Sequence, residues 1–201
     1  MDQLTPRERR QARTREEILK TALAIISESG PDSLSMRGLA NRVDYSAAGL
    51  YEYFDSKDDI IDAVCGEGDR RLQVFLREVS AALAPMQYLV ELGLAYIRFA
   101  KENEEHFLLM YTQVPEGPTL PFKMLEYNET YQILIDGVKR SFESGDISTR
   151  PTFDLDDIAY GLWAAAHGMA MLQLTSLKIV DYEFQSADRA ALEAIVEGFA
   201  K

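Results

Sequence analysis

The segment from Ser46 to Gly49 consists of small side chains, which let the N-terminus of a helix approach a binding partner closely. The methyl groups of Ala47 and Ala48 suit contact with the C5-methyl group of thymine, and the hydroxyl of Ser46 suits a hydrogen bond to a base edge or a phosphate. The chemistry that this segment offers is therefore recognition of double-stranded DNA in the major groove.

Polar side chains on either side of this segment suit the DNA backbone. The hydroxyls of Tyr51 and Tyr53 and the ammonium group of Lys57 are of the types that bind phosphate oxygens. Ser35 and Arg37 stand at the start of a preceding predicted helix, where free backbone N–H groups also attract a phosphate. The predicted DNA-contacting residues are Ser35, Arg37, Ser46, Ala47, Ala48, Gly49, Tyr51, Tyr53 and Lys57.

Two short helices joined by a three-residue turn are predicted to position these side chains. Ser35 is a suitable N-cap for the first helix, which ends near Val43, and Ser46 for the second, which runs to about Phe54. In each, an apolar residue just before the cap can pack on another at the fourth helical position. This is the helix-turn-helix pattern, whose second helix enters the major groove, although a hairpin of helices without a ligand has the same spacing.

Helical periodicity also dominates the rest of the sequence, and strand alternation is scarce. A first helix is predicted from about Arg9 to Ser29, where Gly30 can take the left-handed conformation and Pro31 prevents continuation. Asp55 is the expected cap of the fourth helix, and Gly145 the expected stop of a later one. Helices are predicted at about 57–84, 86–101, 104–113, 122–144, 154–177 and 186–200, and loops at 114–121 and 146–153.

The net charge of −12 argues against a nucleic-acid partner until its distribution is considered. Residues 1–15 contain five arginines, at positions 7, 9, 10, 13 and 15, against Asp2 and Glu8, a net of +3. Residues 61–201 contain 12 basic and 22 acidic residues, a net of −10. A basic arm on an acidic body is compatible with DNA binding if the body faces away from the duplex, and also with a solvated N-terminus that has no partner.

Other function classes find little support in the sequence. The single cysteine, Cys65, suits a reducing cytosol, and no signal peptide is recognised, so a cytoplasmic location is expected. With two histidines and no metalloprotease, phosphate-loop or nucleophile-elbow motif, neither an enzyme nor a bound metal or cofactor is expected. The uncharged run 158–177 is long enough to span a bilayer, but its polar residues favour a helix buried in a core or a subunit interface.

Residues 13–64 carry several anchors at fixed spacing, of which Leu50-Tyr51, Tyr53-Phe54 and Lys57 are the most specific. Together with the segments beginning at Arg15, Glu28 and Leu39, they closely resemble the tetracycline-repressor (TetR) family of transcriptional regulators. The resemblance implies that Tyr51 and Lys57 bind DNA phosphates, that the first turn of the third helix reads bases, and that Phe54 packs in the core of the small domain.

The sequence departs from the family pattern in the turn between the two short helices. The family usually has glycine at the position of Asp44 and a small aliphatic residue at that of Tyr45. Asp tolerates the left-handed conformation better than most residues, so the turn is expected to survive. The negative charge near the DNA backbone is expected to weaken binding.

The segment from Trp163 through His167 to Gly168 resembles a Trp-x-x-x-His-Gly signature of one subgroup of TetR sensor domains, the Trp-His-Gly (WHG) subgroup. The resemblance implies that the helix at 154–177 is the eighth of nine, and that it forms a four-helix dimer interface with the last helix, at 186–200, and their copies. The residue types agree, because an uncharged run with many glycines and alanines permits close helix packing.

A sensor pocket is expected among the middle helices, where aromatic residues and methionines with a few polar tips suit an apolar ligand. Ordinary core packing explains the same residue types, and His167 is expected to form a hydrogen bond and not to bind a metal. The candidates are Tyr96, Phe99, Phe107, Met110, Tyr111, Met124, Tyr127, Tyr131, Trp163, His167 and Met171.

The sequence thus predicts an all-α protein of about nine helices, with a DNA-binding domain at 1–56 and a ligand-sensing and dimerisation domain at 57–201. We expect a homodimer that binds a palindromic DNA operator, responds to an unidentified small molecule and has no membrane partner. The alternative is a degenerate family member that acts as a dimeric protein-binding module without specific DNA recognition.

Overall fold

The computed structural model of the protein describes residues 5–112, 128–150 and 153–200. These residues are helical apart from turns and two isolated β-bridges, which confirms the all-α prediction. A 3-10 turn covers Pro31–Ser33. The α-helices are α1 Pro6–Ser29, α2 Met36–Arg42, α3 Ala47–Leu50, α4 Lys57–Arg77, α5 Pro85–Glu102, α6 Glu104–Thr112, α7 Glu129–Glu143, α8 Leu155–Leu174 and α9 Gln185–Glu197.

Side-chain caps determine where several helices begin. Ser35 and Ser46 cap α2 and α3 as predicted. At α1, the side chain of Thr5 accepts from the backbone of Glu8 while the Glu8 carboxylate accepts from the backbone of Thr5, and Asp154 makes the equivalent box at α8. Each cap satisfies N–H groups that the first helical turn leaves unpaired.

The predicted start of α4 near residue 57 is confirmed, but its C-terminal end and its capping residue are not as predicted. The helix was expected to continue to Ala84 but ends at Arg77, and Ser80 Oγ then accepts from Ala82 N at 3.3 Å. Such local side-chain bonds offer the backbone an alternative to the helix. At the start, Ser56 and not Asp55 provides the cap, because Ser56 Oγ accepts a hydrogen bond of 3.0 Å from the third helical N–H.

Three other helices end earlier than predicted, and the last of them, α9, ends at Glu197 and not at Ala200. The helix expected to reach Phe54 ends at Leu50, because hydrogen bonds between residues three apart tighten the following residues into a turn. The helix α8 ends at Leu174 and not at Leu177, since the next residue, with φ −122° and ψ −94°, leaves the helical region.

Both glycines expected to stop helices have positive φ. Gly145 follows α7 with φ 81°, as predicted. Gly30 has φ 80° and ψ 162°, which is an extended conformation open almost only to glycine and not the left-handed helical one that was expected. The predicted loop at 114–121 and the start of the helix predicted at 122–144 lie outside the described residues.

The chain divides into two compact units. The N-terminal unit comprises the described residues of Met1–Gly68 and Glu105–Val114, and α1 to α3 enclose a core in which Ile18, Leu39 and Leu50 are fully buried. Leu109 of α6 and Val64 of α4 belong to the same core. Burial of these apolar side chains stabilises a domain that is otherwise too small to hold α2 and α3 in place.

The C-terminal unit comprises Asp69–Glu104 and the described residues of Pro115–Lys201. Here α5 is the central helix and packs on α7, α8 and α9. Its core includes the fully buried Phe99 and Ile158, and Leu192 fills the space over Gly93, where an added Cβ would lie 2.9 Å from a Leu192 methyl carbon. None of the described helices is long and apolar enough to cross a membrane.

Candidate functional site

The helix-turn-helix is formed by α2, α3 and the turn between them. Asp44 in this turn has φ 56°, so the aspartate takes the positive φ that the family's glycine would favour and the turn survives, as predicted. The next backbone N–H, that of Tyr45, donates to the carbonyl of Ala40 at 2.9 Å. Leu39 and Leu50, one from each helix, are fully buried and fix the two helices against the N-terminal core.

Tyr45, the second departure from the family pattern, fastens the turn to α1. A hydrogen bond of 3.2 Å joins its hydroxyl to Thr14 Oγ1, although 31 residues separate the two. Its ring also meets that of Tyr53 edge to face, with 6.4 Å between centroids. A small aliphatic residue could make neither contact, so Tyr45 orients α3 in a way that sequence reasoning did not anticipate.

The N-terminus of α3 presents the small side chains to solvent. Ala47 and Ala48 are exposed. Ser46 Oγ accepts from Gly49 N at 3.0 Å, so this hydroxyl caps the helix while its own proton stays available for donation. A Cβ at Gly49 would lie 3.2 Å from Ser46 Oγ and 3.4 Å from the Tyr45 ring, and the glycine therefore preserves both the cap and the tyrosine position.

The remaining predicted DNA-contacting residues surround this helix end in the sequence. Ser35 caps α2 by accepting from Gly38 N at 3.2 Å, and Arg37 is exposed. Tyr51 is 53% exposed, whereas Tyr53 and Lys57 are half-buried. Ser35, Arg37 and Tyr51 are thus accessible to a partner and Tyr53 and Lys57 only partly so, and the role of all five in DNA binding stays a prediction.

Two arginines near this surface are already engaged within the N-terminal unit. The Arg15 guanidinium lies 5.0 Å from the ring centroid of Phe54, which is buried as expected, and this cation–π contact holds α1 against the turn after α3. One guanidinium nitrogen of Arg42 in α2 donates to both carboxylate oxygens of Glu28 in α1, each at 2.9 Å. Both contacts hold the helices that carry α3.

Four of the predicted pocket residues form an aromatic cluster in the C-terminal unit. Trp163 Nε1 donates to the Tyr96 hydroxyl oxygen at 3.4 Å, and a hydrogen bond of 2.9 Å joins that hydroxyl to His167 Nδ1. Tyr131 meets the Trp163 ring at 5.9 Å between centroids. The structure therefore brings α5, α7 and α8 together through these side chains, which combine apolar faces with polar tips.

Burial sets the protonation states in this aromatic cluster. It lowers the pKa of His167 below its usual value, so the imidazole is neutral at pH 7. A neutral ring can accept the Tyr96 proton at Nδ1, and the hydroxyl oxygen is then free to accept from Trp163. Burial, with a smaller effect of the Asp156 carboxylate, raises the pKa of Tyr131 to about 12.

The other pocket candidates are not all in the same unit. Phe99 is fully buried and packs on Phe75 at 5.6 Å between centroids, as a core residue does. Phe107, Met110 and Tyr111 belong to the N-terminal unit. Met171 of α8 is half-buried, and Met124 and Tyr127 lie outside the described residues. A single pocket formed by all eleven candidates stays untested.

Sequence reasoning missed a cavity of about 710 Å³ in the C-terminal unit, between α5, the turn after α4 and the start of α9. None of the predicted pocket residues lines it. Its wall mixes apolar side chains with ion pairs, including Arg98 with Glu78 at 2.7 Å and Arg189 with Glu91 at 2.8 Å. Within the described part of the chain, no three His, Cys, Asp or Glu side chains are grouped to hold a metal ion.

Comparisons with known proteins match both parts of the chain. Residues 18–64 match the family model described as bacterial regulatory proteins, tetR family. Residues 89–198, more than half of the chain, match the model described as tetracyclin repressor-like, C-terminal domain. An uncharacterised HTH-type transcriptional regulator of Mycobacterium tuberculosis is 25% identical over 169 residues, covering 82% of this chain and 72% of that protein.

Solved structures share the fold over nearly the whole chain. A protein of unknown function from Rhodococcus sp. RHA1 has a TM-score of 0.74 at 23% identity, with 94% of this chain and 96% of that chain covered. A TetR family transcriptional regulator from Thermus thermophilus has a TM-score of 0.65 at 20% identity, with 92% and 99% covered. A ketosteroid transcriptional regulator of Mycobacterium tuberculosis has a TM-score of 0.62 at 18% identity, with 99% and 97% covered.

Proposed function

Since the chain belongs to the TetR family of DNA-binding transcriptional regulators, we propose that it is a dimeric repressor that binds a palindromic operator and is released from it by a small molecule. The observation that carries this proposal is the exposed N-terminus of α3, with its small side chains, on a firmly packed helix-turn-helix. Such a helix end can enter the major groove without obstruction.

A dimer is supported by the solvent-facing stripe of α8. Tyr160 and Leu172 are about half exposed, Ala164 is exposed, and a Cβ added at Gly168 would have nothing within 4 Å. These four residues recur every four positions, so they line one uncharged face of the helix. On α9, Ala187, Ala190 and Ala194 form an exposed stripe of small side chains. We propose that both stripes pack on their copies, which would bury apolar surface that a monomer leaves in water.

The small-molecule site is proposed at the cluster of Tyr96, Tyr131, Trp163 and His167. Its rings offer apolar contact, and the hydrogen-bonded chain from Trp163 through Tyr96 to His167 offers a few polar groups that can be redirected to a ligand. A ligand that releases DNA must have a higher affinity for the conformation that cannot bind DNA than for the conformation that can.

The path from this site to DNA is proposed to run through α4. This helix contributes to both units, because the division falls between Gly68 and Asp69 inside it. Its first residues follow the Ser56 cap, where we place the boundary between a DNA-binding domain at 1–56 and a sensing domain at 57–201. A shift of α4 would change the separation of the two α3 helices in the dimer and so weaken operator binding.

The fluorescence of Trp163 tests the ligand-response proposal directly, because it is the only tryptophan in the sequence. Lipids, drugs and aromatic metabolites are screened for a change in its emission, and each hit is added to the protein–operator complex. We expect hits to raise the operator dissociation constant, and Tyr96→Phe to blunt the response while Tyr182→Phe, an exposed control, keeps it. Ligands that bind at Trp163 and leave operator affinity unchanged would refute induced release.

The second candidate function, a dimeric protein-binding module, is favoured by one observation. The exposed Asp44 carboxylate stands two residues before the cap of α3, where it repels phosphates. If Asp44→Asn leaves the protein unable to select any DNA sequence, that module is the better account. A gain in affinity for a selected sequence would instead show that Asp44 only tunes DNA binding.

A further inference from the structure

The first two turns of α1 carry the densest positive charge among the described residues. Arg7, Arg9, Arg10 and Arg13 are all exposed and precede Thr14, the first buried residue of the helix. Arg7, Arg10 and Arg13 make no ion pair with any described residue. We propose that this part of α1 is a second DNA-contacting element, in which Arg7 and Arg10 bind phosphates that flank the site read by α3.

The positions of Arg7 and Arg10 do not favour the helix itself. The positive end of a helix dipole lies at its N-terminus, where cations are unfavourable, and Arg7 stands in the first turn. Arg9 and Arg13 are four residues apart and Arg7 and Arg10 three, so each pair also repels along the helix surface. The one acidic residue of this turn, Glu8, is held by the capping box with Thr5. An anionic partner would convert this repulsion into attraction.

The position of Thr14 indicates which arginines face that partner. Thr14 is bonded to Tyr45, which immediately precedes the cap of α3, so this stripe of α1 faces the reading helix. At about 100° per residue, Arg10 and Arg7 lie roughly 40° and 20° from Thr14 around the helix, whereas Arg13 and Arg9 lie roughly 100° and 140° away. Only Arg7 and Arg10 therefore continue the stripe.

The spacing along the axis suits the DNA backbone. At about 1.5 Å per residue, Arg10 lies about 6 Å and Arg7 about 10.5 Å beyond Thr14 towards the helix start. Arg7 and Arg10 are thus about 4.5 Å apart along the helix axis, of the same order as the rise of about 3.4 Å between successive phosphates of one strand, and their long side chains can reach neighbouring phosphates. The contact carries no sequence information, because phosphates are the same at every base pair.

The test rests on the proposed operator binding and uses two double variants of the full-length protein. Arg7→Ala/Arg10→Ala removes the stripe, and Arg9→Ala/Arg13→Ala removes the same charge from the same helix on another face. Alanine keeps α1 helical, which circular dichroism verifies. The affinity of each protein for its selected operator and for an unrelated duplex is measured by fluorescence anisotropy between 50 and 200 mM salt.

The stripe variant is expected to lose four phosphate contacts per dimer, so the slope of log affinity against log salt should fall by about 3.6. Between 50 and 200 mM salt, the parent would then lose roughly 150-fold more affinity than this variant. The loss should be equal on the operator and the unrelated duplex, and the control pair should keep the slope of the parent.

Equal losses in the two double variants would overturn the proposal, since a general charge effect would explain them. A loss confined to the operator would overturn the assignment to phosphates in favour of base contacts. If the parent binds DNA specifically and neither variant changes the slope, this inference fails while the proposed function stands. If the parent binds no duplex, both fail together.

Discussion

The crossing of α4 and α6 at Gly68 allows a quantitative test of how α6 is held in the N-terminal unit. A Cβ atom at Gly68 would lie 2.5 Å from Met110 Sδ and 3.2 Å from His106 Cβ. Met110 would have to change its rotamer, and because its side chain is flexible and only half-buried, the cost lies at the low end of the about 1–3 kcal/mol typical of overpacking. Alanine in place of a mid-helix glycine contributes about 1 kcal/mol in the other direction. Gly68→Ala is therefore expected to lower the free energy of unfolding by no more than about 1 kcal/mol.

Met110→Ala removes the side chain that obstructs the new methyl group. In this background, Gly68→Ala is expected to raise the free energy of unfolding by up to about 1 kcal/mol. The gain is smaller than the full propensity difference, since the 3.2 Å approach to His106 Cβ remains. The two substitutions should therefore be coupled by about 1–2 kcal/mol.

Urea unfolding of the parent, both single variants and the double variant measures this coupling. All four are compared at one protomer concentration, because the stability of a dimer depends on concentration. If the effects of Gly68→Ala and Met110→Ala add within about 0.5 kcal/mol, the close crossing of α4 and α6 is not present in solution.

Four further predictions concern DNA binding, the turn, the dimer and the sensor cluster. Tyr51→Phe and Lys57→Ala are each expected to weaken binding to all duplex sequences in anisotropy titrations, and unchanged affinity in both would rule out the phosphate assignments. Asp44→Ala should lower the free energy of unfolding in urea by about 1 kcal/mol, because alanine disfavours the φ of 56° at this position. Asp44→Gly should not lower it, and equal losses in the two variants would contradict the argument from φ. A side chain added at Gly168 would meet open space in the monomer, so Gly168→Leu should keep the helical circular dichroism signal. Sedimentation should show that this variant dissociates into monomers, and an intact dimer would exclude the stripe of α8 from the interface. Since the pKa of His167 is lowered in the folded state, the unfolded state binds more protons, and stability should fall as pH drops below about 6.5. If the melting temperature of His167→Gln falls as steeply with pH as that of the parent, this argument is refuted.

Local chemistry explains why much of the helix-turn-helix could be predicted from the sequence. Ser35 and Ser46 are efficient N-caps, and a cap depends only on the next few residues. The positive φ at Asp44 and Gly145 likewise follows from residue type. The choice between Ser56 and Asp55 was wrong because both are good caps and the following residues do not distinguish them.

Features that depend on long-range packing could not be predicted. The bond between Tyr45 and Thr14 joins positions 31 apart, and no periodicity signals it. Aromatic composition placed Tyr96, Trp163 and His167 in one cluster, yet the same residue types also form ordinary core, as Phe99 does. The charged cavity beside α5 is formed by residues that resemble a solvated surface in the sequence. The subgroup suggested by the Trp-His-Gly signature stays a prediction.

Selection of bound fragments from random duplex DNA by the purified protein, at near-physiological salt, tests the central claim most directly. Salt must be controlled because non-specific phosphate binding grows as it falls. A dimer that places two α3 helices in successive major grooves should enrich a palindrome whose half-sites are roughly 34 Å apart. If no sequence is enriched, by the free protein or with the ligands found at Trp163, specific operator binding is contradicted and the dimeric protein-binding module becomes the better account.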